Sequence, residues 1–197
     1  MNDGLVFTKA NFEDLKQIAD IENEYFENYE KKFDLNFLQR WYEHNQEMFY
    51  VVKNKDAEVL AFSILVPVKE SLHKMLLNGE VSEFFDFDKS DVYENFDMKY
   101  VYLADICVGK SGGLRATVKL MTGVAKLIYD NSKYVTTTPV TKAGLKISKR
   151  IGFQKISEQK TPEYCYEVYG LDLENQKSKD TIYNFLLNQE KKINRGE

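Results

Sequence analysis

The sequence is poor in cysteine, proline, histidine and tryptophan: its 197 residues include 2 Cys, 3 Pro, 2 His and 1 Trp. Two cysteines, Cys107 and Cys165, are too few for a disulfide-stabilised small domain and favour a reducing compartment. The few prolines, together with 43% hydrophobic residues, exclude a disordered chain. Neither zinc-type ligand spacing nor a Ser-His-Asp pattern can be found, so we predict no metal site.

Long apolar runs and an excess of basic charge are absent as well. No stretch approaches the roughly 20 apolar residues that a membrane-spanning helix needs, and the opening Met-Asn-Asp-Gly lacks the basic and apolar regions of a signal peptide. The net charge is −4, and no basic stripe precedes the C-terminal tail, which argues against a nucleic-acid partner. We therefore expect a cytoplasmic protein with neither nucleic-acid nor membrane partners.

The apolar patterns that are present predict one α/β (α+β) domain. Their order is β-α-α-β-β, a long connecting segment at 66–98, and then β-α-β-α-β-β-α. Hairpins combined with one strand-helix-strand crossover predict a mixed sheet covered by helices. We place the domain at 1–175, with 66–98 as an insertion or substrate flap, and a C-terminal helix with a basic tail at 176–197.

Short polar signals mark the ends of these elements. Asn11 with Asp14 three residues later predicts a capping box, and the helix that follows has an apolar face that includes Leu15 and Tyr25. Thr141 is predicted to cap a later helix, which should end at Gly152. A hairpin turn is predicted around Pro162.

Residues 99–130 are the most informative part of the chain. Residues 99–108 are almost continuously apolar, which predicts a strand covered on both faces, and Gly-Lys-Ser-Gly-Gly follows at 109–113. The next segment predicts a helix with an apolar face of Leu114, Val118, Met121, Ala125 and Ile128. A glycine loop that leads into a helix leaves N–H groups unpaired at the positive end of the helix dipole. Such a place suits a phosphate group.

Residues 104–111 also fit the loose form of the nucleotide P-loop, an Ala or Gly, four residues and then Gly-Lys-Ser. The context opposes this interpretation, because 105–108 would have to be loop although they continue the strand. Gly112 and Gly113 would fall in the first helical turn, where each costs up to about 1 kcal/mol. A plain strand-to-helix turn without a ligand is a third interpretation.

The element order and three segments resemble the GNAT acetyltransferases, which use acetyl-coenzyme A to acetylate amines. The segments are 102–108, the glycine loop through Ala116, and 143–153, which ends in Arg-Ile-Gly-Phe. The resemblance covers residues 5–172. It implies a GNAT-like fold, with a mixed, mostly antiparallel sheet of six or seven strands flanked by helices, and acetyl-CoA as cofactor.

The resemblance also implies which residues bind the coenzyme. Main-chain groups of Ile106 and Val108 would hold the pantetheine arm in the manner of an added strand. The pyrophosphate would be held by Lys110, Ser111, Gly112, Gly113, Leu114, Arg115 and Ala116. The chain departs from the family pattern in several places, among them Arg115 at a small-residue position and Ser148 where a tyrosine often serves as general acid.

Acetyl transfer to an amine needs a group that takes a proton from the ammonium. Asp105 is the one acid on the central strand, where apolar neighbours could raise its pKa, and Tyr102 on the opposite face is the rival catalytic candidate. In the family the acceptor usually binds to the first helices, where Glu22 and Tyr25 are substrate-binding candidates; acids on a helix are also common as solvated surface.

We expect direct attack in a ternary complex, with a small-molecule amine or a peptide as acceptor. A coenzyme-binding module of the same fold, weakly active or inactive, is the alternative, with a P-loop protein less favoured. A homodimer is left open.

Overall fold

The computed structural model describes residues 4–26, 32–160 and 165–195. In this part of the chain, seven strands lie at Val6–Lys9 (β1), Phe49–Lys53 (β2), Val59–Pro67 (β3), Tyr100–Val108 (β4), Tyr134–Thr137 (β5), Gln154–Lys160 (β6) and Cys165–Asp172 (β7). Six helices lie at Asp14–Phe26 (α1), Leu35–His44 (α2), Glu70–Asn78 (α3), Gly113–Asn131 (α4), Lys142–Ile151 (α5) and Gln176–Arg195 (α6). The predicted order of elements is confirmed.

The strands form one mixed sheet in the order β1-β2-β3-β4-β5-β7-β6. The β4–β5 pair is parallel, whereas β1–β2, β2–β3, β5–β7 and β6–β7 are antiparallel. Strands β3 and β4 also run antiparallel, since Val68 N–H bonds to Tyr100 O at one end and Gly109 N–H bonds to Leu60 O at the other. This architecture confirms the predicted mostly antiparallel sheet flanked by helices.

Two compact units share these elements. The first unit contains the described residues up to Leu65 together with Glu94–Phe96 and Asp105–Val124. Its core is formed by fully buried side chains of α1, α2, β2 and β3, among them Leu15, Leu38, Phe49 and Phe62. These packed residues support the end of β4, where the candidate site lies.

The second unit contains Val66–Tyr93, Asp97–Ala104 and the described residues from Ala125 onward. Its acidic-aromatic run is anchored, because Phe84 and Phe87 are buried and the Phe87 ring lies 4.9 Å from that of Tyr102. Ser82 O accepts hydrogen bonds from the hydroxyls of Tyr102 and Thr138, at 2.8 and 2.5 Å. Part of the segment 66–98 is therefore core, and its role as a substrate flap stays a prediction, as does the domain division at 175.

The predicted helix ends are confirmed where the structure describes them. Asn11 and Asp14 exchange two bonds between side chain and main chain, of 2.7 and 3.0 Å. The Thr141 hydroxyl accepts from Gly144 N–H at 3.0 Å, and α5 ends at Gly152 with a left-handed φ of 111°. The predicted turn around Pro162 lies outside the described residues, as does the end of the basic tail.

Two residues expected on apolar helix faces are exposed instead. Leu114 at the start of α4 is 69% exposed and Tyr25 at the end of α1 is 49% exposed. Both residues lie within two positions of a helix end. The apolar periodicity of the sequence continues to that point, but the packed layer of the core does not. Among the helices in the described ranges, none has the combined length and hydropathy that crossing a membrane requires.

A substitution at Gly123 tests how α4 packs on β1 in the first unit. A Cβ at this position would lie 2.5 Å from the Phe7 ring, and that ring is stacked on Tyr50 with centroids 5.6 Å apart. Gly123→Ala would ordinarily stabilise a helix interior by about 1 kcal/mol, but we expect a net destabilisation of about 1–2 kcal/mol from the overpacking. Urea unfolding measures this change.

The double variant Phe7→Leu/Gly123→Ala provides the control, because the smaller side chain makes room for the methyl group. It should recover stability relative to the sum of the single changes. A stabilised Gly123→Ala single variant would contradict the close contact.

Candidate active site

The last residues of β4 have an edge that no strand pairs with on one side. The register of β4 with β5 covers Tyr100 to Leu103, whereas pairing with β3 continues to Gly109, whose N–H bonds to Leu60 O at 2.9 Å. The two end bonds differ by one residue in register, so the pairing of β3 with β4 is irregular between them. Ile106 and Val108, the two residues predicted to hold pantetheine, lie beyond the register with β5, and Val108 O is turned toward Tyr25, whose hydroxyl donates to it.

The glycines after β4 allow a tight turn. A Cβ on Gly112 would lie 2.5 Å from Leu60 O and 2.8 Å from the Val108 side chain, so the close approach requires glycine there. Gly113 has a left-handed φ of 60°, and a Cβ built on it meets nothing within 4 Å. The loop is thus packed against β3 at Gly112 and open to its surroundings at Gly113.

The N–H groups of this turn divide into used and unused donors. Gly112 N–H bonds to Gly109 O at 2.8 Å, and Lys110 N–H donates to the Glu24 carboxylate at 2.9 Å. The N–H groups of four other residues have no partner among the residues that the structure describes: Ser111, Gly113, Leu114 and Arg115. Unused donors at the start of a 19-residue helix form a positive concavity that suits an anion.

The side chains around this concavity differ in accessibility. Lys110, Ser111 and Arg115 are exposed, so two cations and one hydroxyl can reach an anion at the start of α4. Ala116 is fully buried, which limits its part in the predicted set to the main chain.

The end of α1 contacts both β4 and the loop. The Tyr25 hydroxyl donates to Val108 O at 2.7 Å, and the neighbouring Glu24 carboxylate holds Lys110 N–H. Tyr25 was predicted to contact substrate; in the structure its hydroxyl bonds to the strand. The contact of Glu24 with Lys110 was not predicted, since nothing in the sequence connects Glu24 with a residue 86 positions later.

Glu22 and Asp105 form a buried carboxyl pair. Glu22 is 4% exposed, and its Oε1 accepts from Phe33 N–H at 3.3 Å. No N–H or O–H donor of the described residues reaches Glu22 Oε2 or Asp105 Oδ2, both of which are buried. Burial raises the pKa of Asp105 well above its usual value, and the Glu22 charge raises it further. Burial also raises the pKa of Glu22, and its hydrogen bond with Asp105 offsets part of that rise.

The same two carboxyl groups affect the pKa of the Cys107 thiol, which lies two residues after Asp105 on β4. Burial, followed by the charges of Asp105 and Glu22, raises the pKa of Cys107 far above that of an ordinary thiol. These shifts favour the protonated thiol, which is a poor nucleophile.

Tyr102, the rival catalytic candidate, belongs to the second unit and is 3% exposed, and its hydroxyl donates to Ser82 O. Its catalytic role stays a prediction. Ser148, at the position of the family's usual acid, is buried as well.

The P-loop interpretation fails on the backbone. Residues 105–108, which that motif needs as loop, are the last part of β4.

No family model and no curated protein matches the sequence, but solved structures do match the fold. An acetyltransferase of the GNAT family from Staphylococcus aureus Mu50 superposes with a TM-score of 0.59 at 11% identity, over 86% of this chain and 99% of that one. The chain has the GNAT fold. An N-acetyltransferase from the same organism gives a TM-score of 0.57 at 16% identity, over 86% of this chain and 98% of the other.

A third match bears on the ligand of the GNAT fold. The protein yncA from Salmonella typhimurium, solved with its cofactor acetyl-CoA, superposes with a TM-score of 0.55 at 13% identity. The superposition covers 86% of this chain and 94% of that one. A neighbour of the same fold thus binds an acyl coenzyme A.

The carboxyl pair predicts a specific pH dependence of stability. Because the folded-state pKa of Asp105 is raised, its contribution to stability is present at low pH and is lost as pH rises from the unfolded value through the folded one. Asp105→Asn removes this titration and keeps a donor toward Glu22. The variant should therefore gain stability over the parent as pH rises, on the order of 1–3 kcal/mol.

Urea unfolding across the range from acid to mildly alkaline pH measures this difference. Parallel curves for the parent and Asp105→Asn would show that Asp105 is not a buried, proton-holding carboxyl group.

Proposed function

We propose that this protein transfers an acetyl group from acetyl-CoA to an amine acceptor by direct attack in a ternary complex. The observation that carries the proposal is the set of unused N–H groups at the start of α4, beside the part of β4 that lies beyond its register with β5. An anion site adjoining a strand edge without a strand partner fits a ligand that has a diphosphate at one end and amide groups along its arm. Coenzyme A has both features.

The residues present fit this coenzyme. Gly113 leaves open space beside the free donors, and Lys110 and Arg115 add positive charge for the diphosphate. Ile106 and Val108 offer main-chain groups for the pantetheine amides. When bound, the coenzyme supplies the acetyl group as an activated thioester.

In this reaction the side chains of the protein accept the proton that the acceptor ammonium loses. Asp105 and Glu22 lie within one buried cluster on β4 and α1, and together they bind at least one proton more readily than two solvated carboxyl groups do. A carboxyl group with a raised pKa lies closer in pKa to an acceptor ammonium. Its carboxylate is therefore a better base near neutral pH. We assign Asp105 as the proton acceptor and Glu22 as the group that adjusts its charge.

A coenzyme-binding protein without turnover is the second candidate. It is favoured by Ser148, which is buried and stands at the sequence position where the family often has a tyrosine as general acid, because a serine hydroxyl is a weak acid. Under that candidate the coenzyme site persists and acyl transfer does not occur.

Substitutions at Gly113 test the coenzyme site. Asp and Asn both tolerate left-handed backbone, and they differ by one charge at nearly equal size. Gly113→Asp should stabilise the start of α4 through the helix dipole by about 0.3–1 kcal/mol. It should weaken acetyl-CoA binding at least tenfold more than Gly113→Asn does, because its carboxylate occupies the anion site.

Isothermal titration with acetyl-CoA and thermal unfolding without ligand measure the two effects. Gly4 has a similar φ of 68° and open surroundings, so Gly4→Asp is a matched control that should leave the affinity unchanged. Equal affinity in Gly113→Asp and the parent would remove the start of α4 from the coenzyme site.

Turnover is tested by thiol release with a panel of amines and peptides. Asp105→Asn should lower kcat by about 10²–10⁴-fold, the usual contribution of a general base, with coenzyme affinity retained. Asp20→Asn, an exposed change on α1, is the control for charge. Coenzyme binding without thiol release for any acceptor would establish the second candidate instead.

A further inference from the structure

Two consecutive side chains at the end of α1, here called the α1 clasp, bond to the main chain on either side of Gly109. Glu24 accepts from Lys110 N–H at 2.9 Å, and Tyr25 donates to Val108 O at 2.7 Å. Both side chains are exposed, and neither contact is needed to complete a helix or a strand. The clasp therefore binds groups that would otherwise be available to a ligand.

The polarity of the clasp matches that of the proposed ligand. Glu24 places a negative oxygen on an N–H of the anion loop, as a phosphate oxygen would. The Tyr25 hydroxyl places a donor on a carbonyl of the free β4 edge, as a pantetheine amide N–H would. Glu24 thus takes the place of the diphosphate, and Tyr25 takes the place of the pantetheine arm.

We propose that the α1 clasp, formed by Glu24 and Tyr25, is an internal competitor that acyl-coenzyme A must displace in order to bind. This inference rests on the proposed function and adds to it the residues that limit affinity for the coenzyme. Glu24 competes with the diphosphate for Lys110 N–H and also repels it. Tyr25 competes with the pantetheine arm for Val108 O.

Removing either member should tighten coenzyme binding. Glu24→Gln keeps the side-chain size and an acceptor oxygen but removes the charge, and Tyr25→Phe removes only the hydroxyl. Each should lower the Kd for coenzyme A by about 3- to 10-fold, the equivalent of one exposed hydrogen bond weakened (Glu24→Gln) or lost (Tyr25→Phe) in the free protein. The gain for Glu24→Gln should shrink at high salt, whereas the gain for Tyr25→Phe should not.

Fragments of the coenzyme separate the two contributions. ADP carries a diphosphate without pantetheine, and pantetheine carries the amides without phosphate. In NMR titrations, Glu24→Gln should tighten binding of ADP and not of pantetheine, and Tyr25→Phe should do the reverse. A general loosening of α1 would change both fragments together, which would overturn the proposal.

One control variant and three outcomes distinguish the clasp proposal from the proposed function. Asp20→Asn removes one charge from the same helix without touching the loop, and it should leave the Kd for coenzyme A unchanged. If the parent binds coenzyme A and the clasp variants bind it equally or more weakly, the clasp proposal fails and the proposed function stands. If neither the parent nor Glu24→Gln/Tyr25→Phe binds coenzyme A, both proposals fail. Binding by the double variant alone would support the clasp.

Discussion

The candidate site depends on unequal pairing along β4. Its hydrogen bonds to β3 continue as far as Gly109, whereas its register with β5 ends at Leu103. The strand continues through Val108, and the early end of the β5 register leaves main-chain groups of Ile106 and Val108 unpaired with β5. The glycine turn and the start of α4 come directly after this strand end.

The turn after β4 then determines where the unused donors point. Gly112 fits beneath Leu60 O only because it lacks a side chain, and that close approach brings the chain directly into α4. A longer or bulkier connection would carry the helix start away from the strand edge. A diphosphate and the arm attached to it could not then be bound by adjacent groups.

The carboxyl pair shows how the same packing shifts the pKa of acidic side chains. Glu22 comes from α1 and Asp105 from β4, and the buried environment that makes their charges costly is formed by the core of the first unit. A surface pair of carboxyl groups would each ionise near its ordinary pKa. The pair binds a proton more readily than solvated carboxyl groups do, because burial makes its charges costly.

The element order, the capping box at Asn11, the stop at Gly152 and the glycine loop were all predictable from the sequence alone, because each depends on local periodicity or local hydrogen bonding. Asp105 as the acid of the central strand was predictable in the same way. The contacts of Glu24 and Tyr25 with residues more than 80 positions away, and the burial of Tyr102, were decided by the tertiary structure. Side-chain alternation places a residue on one of two faces, and only the packing of distant segments determines which face is buried, which donors are already used and which remain for a ligand.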